Sequence, residues 1–171
     1  MKTLLLLRHA KSSRKSAHPI DFDRPLAPRG ITAVPRMGRE ITRRGWLPDL
    51  ALVSAARRTM QSWELISAAL PRQPKVKYSE TLYEAPVEAL LAELRQIPDD
   101  VESVLLLGHN PGLQELAIGI AGPGSDQHSL SMMKEKLPTA ALARFAFEGS
   151  WSELQQQSAR LTEFVRPRDL D

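Results

Sequence analysis

Short apolar runs alternate with amphipathic segments along this chain. The run at residues 4–7 (LLLL), the run Leu50–Ser54 (LALVS) and the apolar start of residues 103–122 have the length of buried strands. The second and third runs lead through a short turn into residues with helical spacing, so that strand, turn and helix repeat. This order predicts a mainly parallel sheet between two layers of helices, a three-layer α/β/α architecture.

Three amphipathic helices are predicted from apolar residues at helical spacing. The first is expected to begin near Thr32 as its N-cap, to hold Pro35 in its first turn and to end at Gly45. The third is expected to begin at Pro86, because proline suits the first position of a helix. The apolar faces are Val34, Met37 and Ile41 in the first helix, Met60, Trp63, Ile66 and Leu70 in the second, and Val87, Leu90, Leu91, Leu94 and Ile97 in the third.

The remaining segments are less regular. Residues 11–28 are polar, contain proline and have no apolar period, which is typical of a long loop. Residues 122–138 are also loop-like, with a short helical piece expected at residues 131–136. Apolar residues at 140–147 and 160–165 predict two strands that pair antiparallel at the edge of the sheet.

Cysteine is absent from the 171-residue sequence, which excludes disulfides, thiolate metal sites and a cysteine nucleophile. The length fits one domain over residues 1–171, with enough buried surface to fold without disulfides or metals. The first apolar run is too short for a signal peptide or a membrane span. We therefore expect a soluble, cytoplasmic domain with no membrane partner.

Positive charge is concentrated in the first part of the chain. Residues 1–60 contain 13 Lys and Arg against four acidic residues, whereas residues 61–171 contain 10 against 16. This excess of positive charge is typical of an anion-binding site, a nucleic-acid-binding surface or the solvated face of a helix. Basic residues do not interleave with aromatic ones, and Trp63 and Trp151 are expected in packing positions, so no nucleic-acid partner is predicted. A solvated helix face is the interpretation favoured for four arginines at helical spacing, Arg36, Arg39, Arg43 and Arg44.

Polar side chains follow the three strongest predicted strands. Arg8 and His9 end the first strand, and Arg57 or Arg58 follows the second. His109 follows the third strand, at the expected start of a helix. The carboxyl ends of parallel strands lie along one edge of a sheet, where ligands bind in α/β proteins. Two arginines, two histidines and a helix N-terminus suit a tetrahedral dianion such as a phosphoryl group, with sulfate and carboxylate as alternatives.

Three motifs in order, each after a predicted strand, resemble the histidine phosphatase (phosphoglycerate mutase-like) superfamily. They are RHA at residues 8–10, S-x-x-x-R-x-x-Q at Ser54, Arg58 and Gln61, and GHNP at residues 108–111. The similarity covers nearly the whole chain, including RPLAPRG at residues 24–30, and is strongest to the small phosphohistidine phosphatases of the SixA type. It implies a phosphoglycerate mutase-like fold and a covalent phosphohistidine intermediate on His9.

The chain departs from the family pattern at two positions without losing a catalytic group. Ala10 replaces the glycine of the usual RHG, and that glycine lets the backbone turn tightly. Ala55 occupies a position where the family often has proline. Because the spacing from Ser54 fits Arg58, we assign Arg58 to the pocket and expect Arg57 to be exposed.

The resemblance implies a role for each motif residue. Neutral His9 attacks phosphorus in line, while Arg8, Arg58 and His109 hold the nonbridging oxygens, and water then hydrolyses phospho-His9. The arginines supply charge that Mg²⁺ supplies in other phosphoryl-transfer enzymes. Neither a metal nor another cofactor is predicted, since no metal-ligand spacing relates the histidines.

Further residues have a weaker connection to the pocket. Glu84 in LYEA is, by its place in the family's order, the candidate general acid for an alcohol leaving group, and a solvated loop acid is the alternative. Arg24 corresponds to a family position that reaches the phosphate, with a structural role as the alternative. His18 and His128 are expected on the surface. The remaining candidates for substrate binding, all beside the pocket, are Lys11, Ser12 and Asn110.

The resemblance makes a metal-independent phosphatase of the SixA type the expected function, with a phosphorylated protein as substrate. The small size of the chain favours a protein substrate, because larger superfamily members use insertions to enclose small molecules. A phosphomonoesterase of sugar or nucleotide phosphates is the first alternative. A noncatalytic phosphate-recognition module with the same pocket is the second.

Overall fold

Six strands form one sheet in a computed structural model that describes residues 1–14 and 20–170. The order across the sheet is β3-β2-β4-β1-β5-β6, and β1 to β4 are parallel to one another. β5 runs antiparallel to both of its neighbours, so the predicted antiparallel pair at the sheet edge is confirmed. The strands are β1 (Lys2–Arg8), β2 (Leu50–Ser54), β3 (Lys75–Ser79), β4 (Ser103–Gly108), β5 (Leu142–Phe147) and β6 (Arg160–Val165).

Five helices cover the two faces of the sheet, which confirms the three-layer α/β/α prediction. They are α1 (Pro28–Arg44), α2 (Arg57–Ser67), α3 (Val87–Arg95), α4 (Gly112–Ile120) and α5 (Gln127–Glu135). Leu5 and Leu7 of β1 pack with α1 and α2, whereas Leu4 and Leu6 face the cluster formed with α3, α4 and α5. These four leucines are at most 1% exposed, because helices shield β1 from water on both faces.

The start of α1 differs from the prediction. The helix begins at Pro28, four residues before Thr32, and Ala27 occupies the N-cap position. Proline suits the first helical position, where its missing N–H costs nothing and its fixed φ is helical. The Thr32 hydroxyl donates to the Pro28 carbonyl oxygen at 3.1 Å, as a residue within the helix can. Pro35 therefore lies inside α1 and not in its first turn, while Gly45 ends the helix with φ 70°, as predicted.

Three other helix boundaries also differ from the prediction. α2 ends at Ser67, before Leu70, and Pro86 is the N-cap of α3 and not its first residue. α5 spans Gln127–Glu135 and not residues 131–136, because the Asp126 side chain accepts a hydrogen bond from the Ser129 amide and starts the helix earlier. Within the described ranges, no helix is both long and apolar enough to cross a membrane.

The segment predicted as a long loop is tied to the helices beside it. Ser12 forms an isolated antiparallel bridge with Leu26, and the Leu26 amide donates to Gln61 Oε1 of α2 at 2.8 Å. A side chain at Gly30 would overlap the Lys11 carbonyl oxygen, so this glycine lets α1 approach the segment. The segment is thereby held against the carboxyl edge of the sheet.

Candidate active site

A pocket of about 410 Å³ lies at the carboxyl edge of the sheet. Arg8 is directly opposite Gly108 in the β1–β4 pair, so the residues that follow them, His9 and His109, become neighbours. Their ring centroids are 5.2 Å apart. The pocket is lined by all nine residues predicted for the site, Arg8, His9, Lys11, Ser12, Arg24, Arg58, Glu84, His109 and Asn110, together with Arg14 and Thr139.

His9 is held in one tautomer and in the neutral state. Its Nδ1 atom lies 2.7 Å from the Ala10 carbonyl oxygen, which only accepts hydrogen bonds, so Nδ1 carries the hydrogen. Nε2 therefore keeps its lone pair. Burial lowers the pKa of His9 to about 4, and the nearby positive charges of Arg58, Arg8 and Arg24 act in the same direction. At neutral pH His9 is thus an uncharged base with a free ring nitrogen.

Ala10 fits where the family usually has glycine. Its φ is negative, and the residue is fully buried. Its amide donates to Ser62 Oγ at 3.0 Å, while the Ser62 hydroxyl donates to the Arg58 carbonyl oxygen at 2.7 Å. The backbone at Ala10 therefore needs no glycine, and it joins the His9 turn to the first turn of α2.

Arg58 lies in the first turn of α2 and is 2% exposed, whereas Arg57 is exposed. Its guanidinium donates from Nη1 to the Asp21 carbonyl oxygen at 2.8 Å and from Nη2 to Asp21 Oδ2 at 3.0 Å. Glu84 Oε1 is 3.4 Å from the same Nη2 atom. Arg58 is consequently placed in the pocket between two carboxylates.

Asp21 and Tyr83 are site residues that the sequence reasoning missed. The Tyr83 hydroxyl donates to Asp21 Oδ2, and Arg24 Nε donates to Asp21 Oδ1 at 2.8 Å. The hydrogen bond from Tyr83, followed by those from Arg24 and Arg58, holds the pKa of Asp21 well below its usual range. The Tyr83 ring also packs edge-on against His109, with centroids 5.3 Å apart. The nearest sequence signal is the position of Tyr83 beside Glu84.

His109 is oriented by Ser54, to which the motif had given no role. His109 Nε2 lies 2.7 Å from Ser54 Oγ, and both residues are buried. The Ala56 amide donates to Ser54 Oγ at 3.4 Å, which leaves the serine hydroxyl hydrogen free to be donated to Nε2. With the hydroxyl donating in this way, the hydrogen of neutral His109 is on Nδ1. Burial lowers the pKa of His109 to about 3, and the repulsion from His9, which is also protonated at such a low pH, and from Arg58 acts in the same direction, so His109 is neutral at pH 7.

Three buried nitrogens of the pocket residues have no hydrogen-bond partner among the described residues. They are Arg8 Nε, Arg58 Nε and His109 Nδ1. Buried donors are nearly always paired in folded proteins. Arg8 does donate from Nη1 to the Leu137 carbonyl oxygen at 3.1 Å, and burial lowers its pKa, with the charge of Arg58 contributing. The pocket therefore has donor capacity in excess of its own acceptors, which suits an oxyanion.

Glu84 has an unusual backbone conformation at the rim of the pocket. Its φ is 47°, in the left-handed region that costs a residue with a side chain about 1 kcal/mol. A side chain at Gly112 would overlap the carbonyl oxygen of Ala85, the residue after Glu84. The start of α4 thus packs directly against the turn that presents Glu84 to Arg58.

The other predicted residues lie around the mouth of the pocket. Arg24 Nη1 donates to Ser12 Oγ at 3.0 Å and to the Ser13 carbonyl oxygen at 2.7 Å, so Arg24 also fixes the loop. Asn110 Nδ2 donates to the Leu137 carbonyl oxygen at 3.0 Å, and its Oδ1 accepts from the Gln114 amide of α4 at 3.2 Å. Asn110 thus caps the start of α4 from the residue before the N-cap position.

Of the two other histidines, His128 is exposed on α5, as predicted, and does not line the pocket. The prediction for His18 falls outside the described residues. Over residues 1–14 and 20–170, no group of three or more His, Asp or Glu side chains is placed to hold a metal ion.

Comparison with known proteins places the chain among established folds. No family model matches it. An uncharacterized protein from Mycobacterium tuberculosis is 34% identical over 172 residues, which covers 95% of this chain and 100% of the relative. A solved candidate SixA phosphohistidine phosphatase from Nakamurella multipartitia is 27% identical with a TM-score of 0.83, covering 97% of this chain and 96% of the other. A protein histidine phosphatase SixA complexed with tungstate is 20% identical with a TM-score of 0.80 over 99% of both chains.

The fold and the pocket define the class of protein to which the chain belongs. It is a member of the histidine phosphatase superfamily, with the phosphoglycerate mutase-like fold that the motifs predicted. Within that superfamily the chain is related to the SixA-type proteins.

Proposed function

We propose that the protein is a phosphatase that acts through a covalent phosphohistidine on His9. One observation carries this proposal. His9 is buried and neutral with a free Nε2, in a pocket where nitrogens of Arg8, Arg58 and His109 lack partners among the described residues. A nucleophile and its charge-stabilising donors are thus assembled in one place. The fold shared with a SixA protein that binds tungstate, a tetrahedral oxyanion, supports the proposal.

In the first step, His9 Nε2 forms a bond to phosphorus while the bond from phosphorus to the leaving group breaks. The leaving group takes that electron pair, and the positive charge of phospho-His9 offsets part of the phosphoryl charge. Arg8, Arg58 and His109 donate hydrogen bonds to the nonbridging oxygens as charge moves between them. In the second step, water attacks phosphorus, the bond to Nε2 breaks, and inorganic phosphate leaves with His9 neutral again.

We propose phosphohistidine on a protein as the substrate. A substitution of Glu84 distinguishes this substrate from a phosphate ester. The imidazole of a substrate phosphohistidine leaves phosphorus more readily than an alkoxide, which needs a proton from a general acid. Glu84→Gln is therefore expected to keep kcat/KM for a phosphohistidine protein within about threefold. For an alkyl phosphate the same change should lower kcat/KM about 10²-fold. Equal losses on both substrates would contradict this assignment.

The catalytic role of His9 has a direct test. His9→Ala should lower turnover of p-nitrophenyl phosphate by at least about 10⁴-fold and abolish an acid-labile, radiolabelled phosphoenzyme. Circular dichroism checks that the variant is folded. His128→Ala is the matched control, because His128 is exposed and does not line the pocket.

Two outcomes would favour other functions. Unchanged turnover in His9→Ala would contradict the covalent mechanism, and phosphate binding without turnover by the unaltered protein would favour the recognition module.

A panel of phosphohistidine protein, sugar phosphates and nucleotides, assayed with and without EDTA, ranks the substrates. Loss of activity in EDTA would contradict the metal-independent mechanism.

A further inference from the structure

A groove leads away from the pocket on the side of α1 and α5. Lys11 and Thr139 line the pocket on one side and a second cavity, of about 400 Å³, on the other. The second cavity in turn shares lining residues, among them Met132, Glu135 and Arg168, with a third of about 980 Å³. We call the second and third cavities together the basic groove. It adjoins the site that holds His9.

The part of the basic groove next to the pocket is strongly positive. One acidic residue, Glu135, lines the second cavity. Its basic lining residues are Lys11, Arg29, Lys136, Arg166 and Arg168. Arg166 is paired with Asp169 at 2.8 Å, which leaves an excess of three positive charges in this small part of the surface. The walls therefore attract an anionic partner along the path to the pocket.

The far part of the basic groove keeps positive charge even after its own ion pairs are considered. Glu40 lies 2.6 Å from both Arg43 Nη2 and Arg44 Nε, so two of the arginines are already paired. Arg29 and Arg39 of α1 are exposed and make no ion pair with a carboxylate of the described residues. Arg39 of the solvated helix face predicted from the sequence, together with Arg29, thus has charge left for a partner.

We propose that the basic groove binds an extended acidic segment of the phosphorylated protein, beside the residue whose phosphoryl group enters the pocket. This inference rests on the proposed function and names the kind of protein substrate. Arg29 and Arg39 are ten residues apart on α1, about 15 Å. An extended chain covers that distance with about five residues. Several carboxylates of one segment can therefore meet the groove at once.

The lining of the basic groove fits a polypeptide better than a nucleic acid. Strand-binding sites for nucleic acids use aromatic rings as stacking platforms. Among the described residues that line the groove, the one aromatic is Phe164, which is 8% exposed. Glu135 stands where the two cavities meet and would repel a continuous row of phosphates. Met132 and Leu170 offer apolar surface for side chains between the acidic ones.

The test compares peptides that differ only in the charge beside one phosphohistidine. Each peptide has five Glu or five Gln residues, placed before the phosphohistidine in one pair and after it in the other. Surface charge pairs are individually weak, so several are needed for a clear effect. For one of the two placements, we expect kcat/KM of the unaltered protein to be about tenfold higher with Glu than with Gln. The preference should fall steeply in 0.5 M NaCl because salt screens exposed charges.

Two charge-reversal variants test whether the preference for Glu peptides depends on the basic groove. Arg29→Glu/Arg39→Glu should reduce the Glu-to-Gln ratio to about 1, while turnover of p-nitrophenyl phosphate stays within about twofold. Arg72→Glu/Lys75→Glu is the matched control, with the same charge change at exposed residues near β3, at the opposite edge of the sheet. It should keep the tenfold preference. Lys136→Glu/Arg168→Glu is a second groove variant, used if the first fails to fold by circular dichroism.

A direct measurement of peptide binding distinguishes failure of this inference from failure of the proposed function. Fluorescence anisotropy of a labelled, unphosphorylated five-Glu peptide should show binding that Arg29→Glu/Arg39→Glu weakens about tenfold. The peptide should bind in this way even if the protein turns over no phosphohistidine substrate. In that case the proposed function would be wrong, and the proposed binding of an acidic segment would stand. A ratio near 1 in the unaltered protein, together with no peptide binding, would overturn the inference. So would tighter, equally groove-dependent binding of a single-stranded oligonucleotide.

Discussion

At the scale of single residues, Arg58 lies between the substrate position and a carboxylate of its own chain. Asp21 Oδ2 is 3.0 Å from Arg58 Nη2, and the two groups attract each other strongly enough to help keep Asp21 ionised. A phosphoryl group that enters the pocket must share this guanidinium with Asp21. The carboxylate therefore weakens the binding of phosphate while it helps to orient the arginine.

Replacing Asp21 should reveal that competition. Asp21→Asn keeps an oxygen acceptor for Arg58 but removes the negative charge, and the loss of about 1 kcal/mol of competing attraction corresponds to about fivefold in affinity. Inorganic phosphate should then inhibit p-nitrophenyl phosphate turnover with a Ki about fivefold lower. Asp23→Asn, a change in the same loop, is the control and should leave Ki unchanged. A higher Ki in Asp21→Asn would show that orientation of Arg58 outweighs charge.

Site residues that follow a strand could be placed from the sequence, whereas a site residue in the long loop could not. Arg8, His9 and His109 follow apolar strands directly, so the strand pattern alone places them at the edge of a parallel sheet. Arg58 needed the motif spacing to distinguish it from Arg57. Asp21 has neither a strand before it nor a motif spacing. It lies in a long polar loop, where no periodic pattern indicates the positions of the side chains.

At the scale of secondary-structure elements, α4 determines the position of the turn that carries Tyr83 and Glu84. Gly112 begins α4 at the closest approach between the helix and that turn. Even the smallest side chain at this position would overlap backbone, which cannot move aside as a flexible side chain can. The glycine therefore connects helix packing with the geometry of the pocket.

Gly112→Ala should destabilise the protein although alanine favours helices over glycine by up to about 1 kcal/mol. Overpacking against fixed backbone costs about 2 kcal/mol, so the free energy of unfolding measured in urea should fall by about that amount. Gly108→Ala is the matched control. A side chain there would have its nearest contact at 3.4 Å, an ordinary packing distance, and stability should change by less than about 1 kcal/mol. Equal losses in both variants would contradict this explanation.

The elements themselves were largely predictable, whereas their first residues were not. Apolar periodicity identifies a helix by its buried face, and the faces of α1 and α2 are buried as expected, for example at Met37 and Trp63. Periodicity says little about where the first turn begins. In α1 the first turn is set by Pro28 after an N-cap alanine without a capping side chain, and in α5 by the Asp126 side chain.

At the scale of the whole molecule, two buried neutral histidines link stability to pH. The pKa values of His9 and His109 are about 4 and about 3 in the folded protein, against 6.5 for the free side chain. Between pH 6.5 and pH 4 the unfolded chain binds protons that the folded protein does not. Stability is therefore full above pH 6.5 and is lost as the pH falls through this range.

The expected loss between pH 7 and pH 4 is about 3 kcal/mol from His9 alone. Urea unfolding at a series of pH values measures it, and His9→Gln should show a shallower dependence on pH. His128→Gln, a change at an exposed histidine, should retain the full dependence. Turnover by the folded protein should not fall at pH 6.5, because His9 stays neutral until about pH 4. An apparent pKa near 6.5 in kcat/KM would contradict the buried, neutral His9.

The position of β1 in the centre of the sheet has a consequence during synthesis. Leu7 is opposite Leu107 on one side and Leu142 on the other, so both neighbours of β1 are made much later than β1 itself. At ordinary translation rates the second neighbour follows after roughly 7 to 27 s. Until β4 has been made, the leucines of β1 have neither neighbour and are available to chaperones. His9 is translated about 100 residues before His109, so the two neighbouring rings of the pocket come together only after most of the domain has been made.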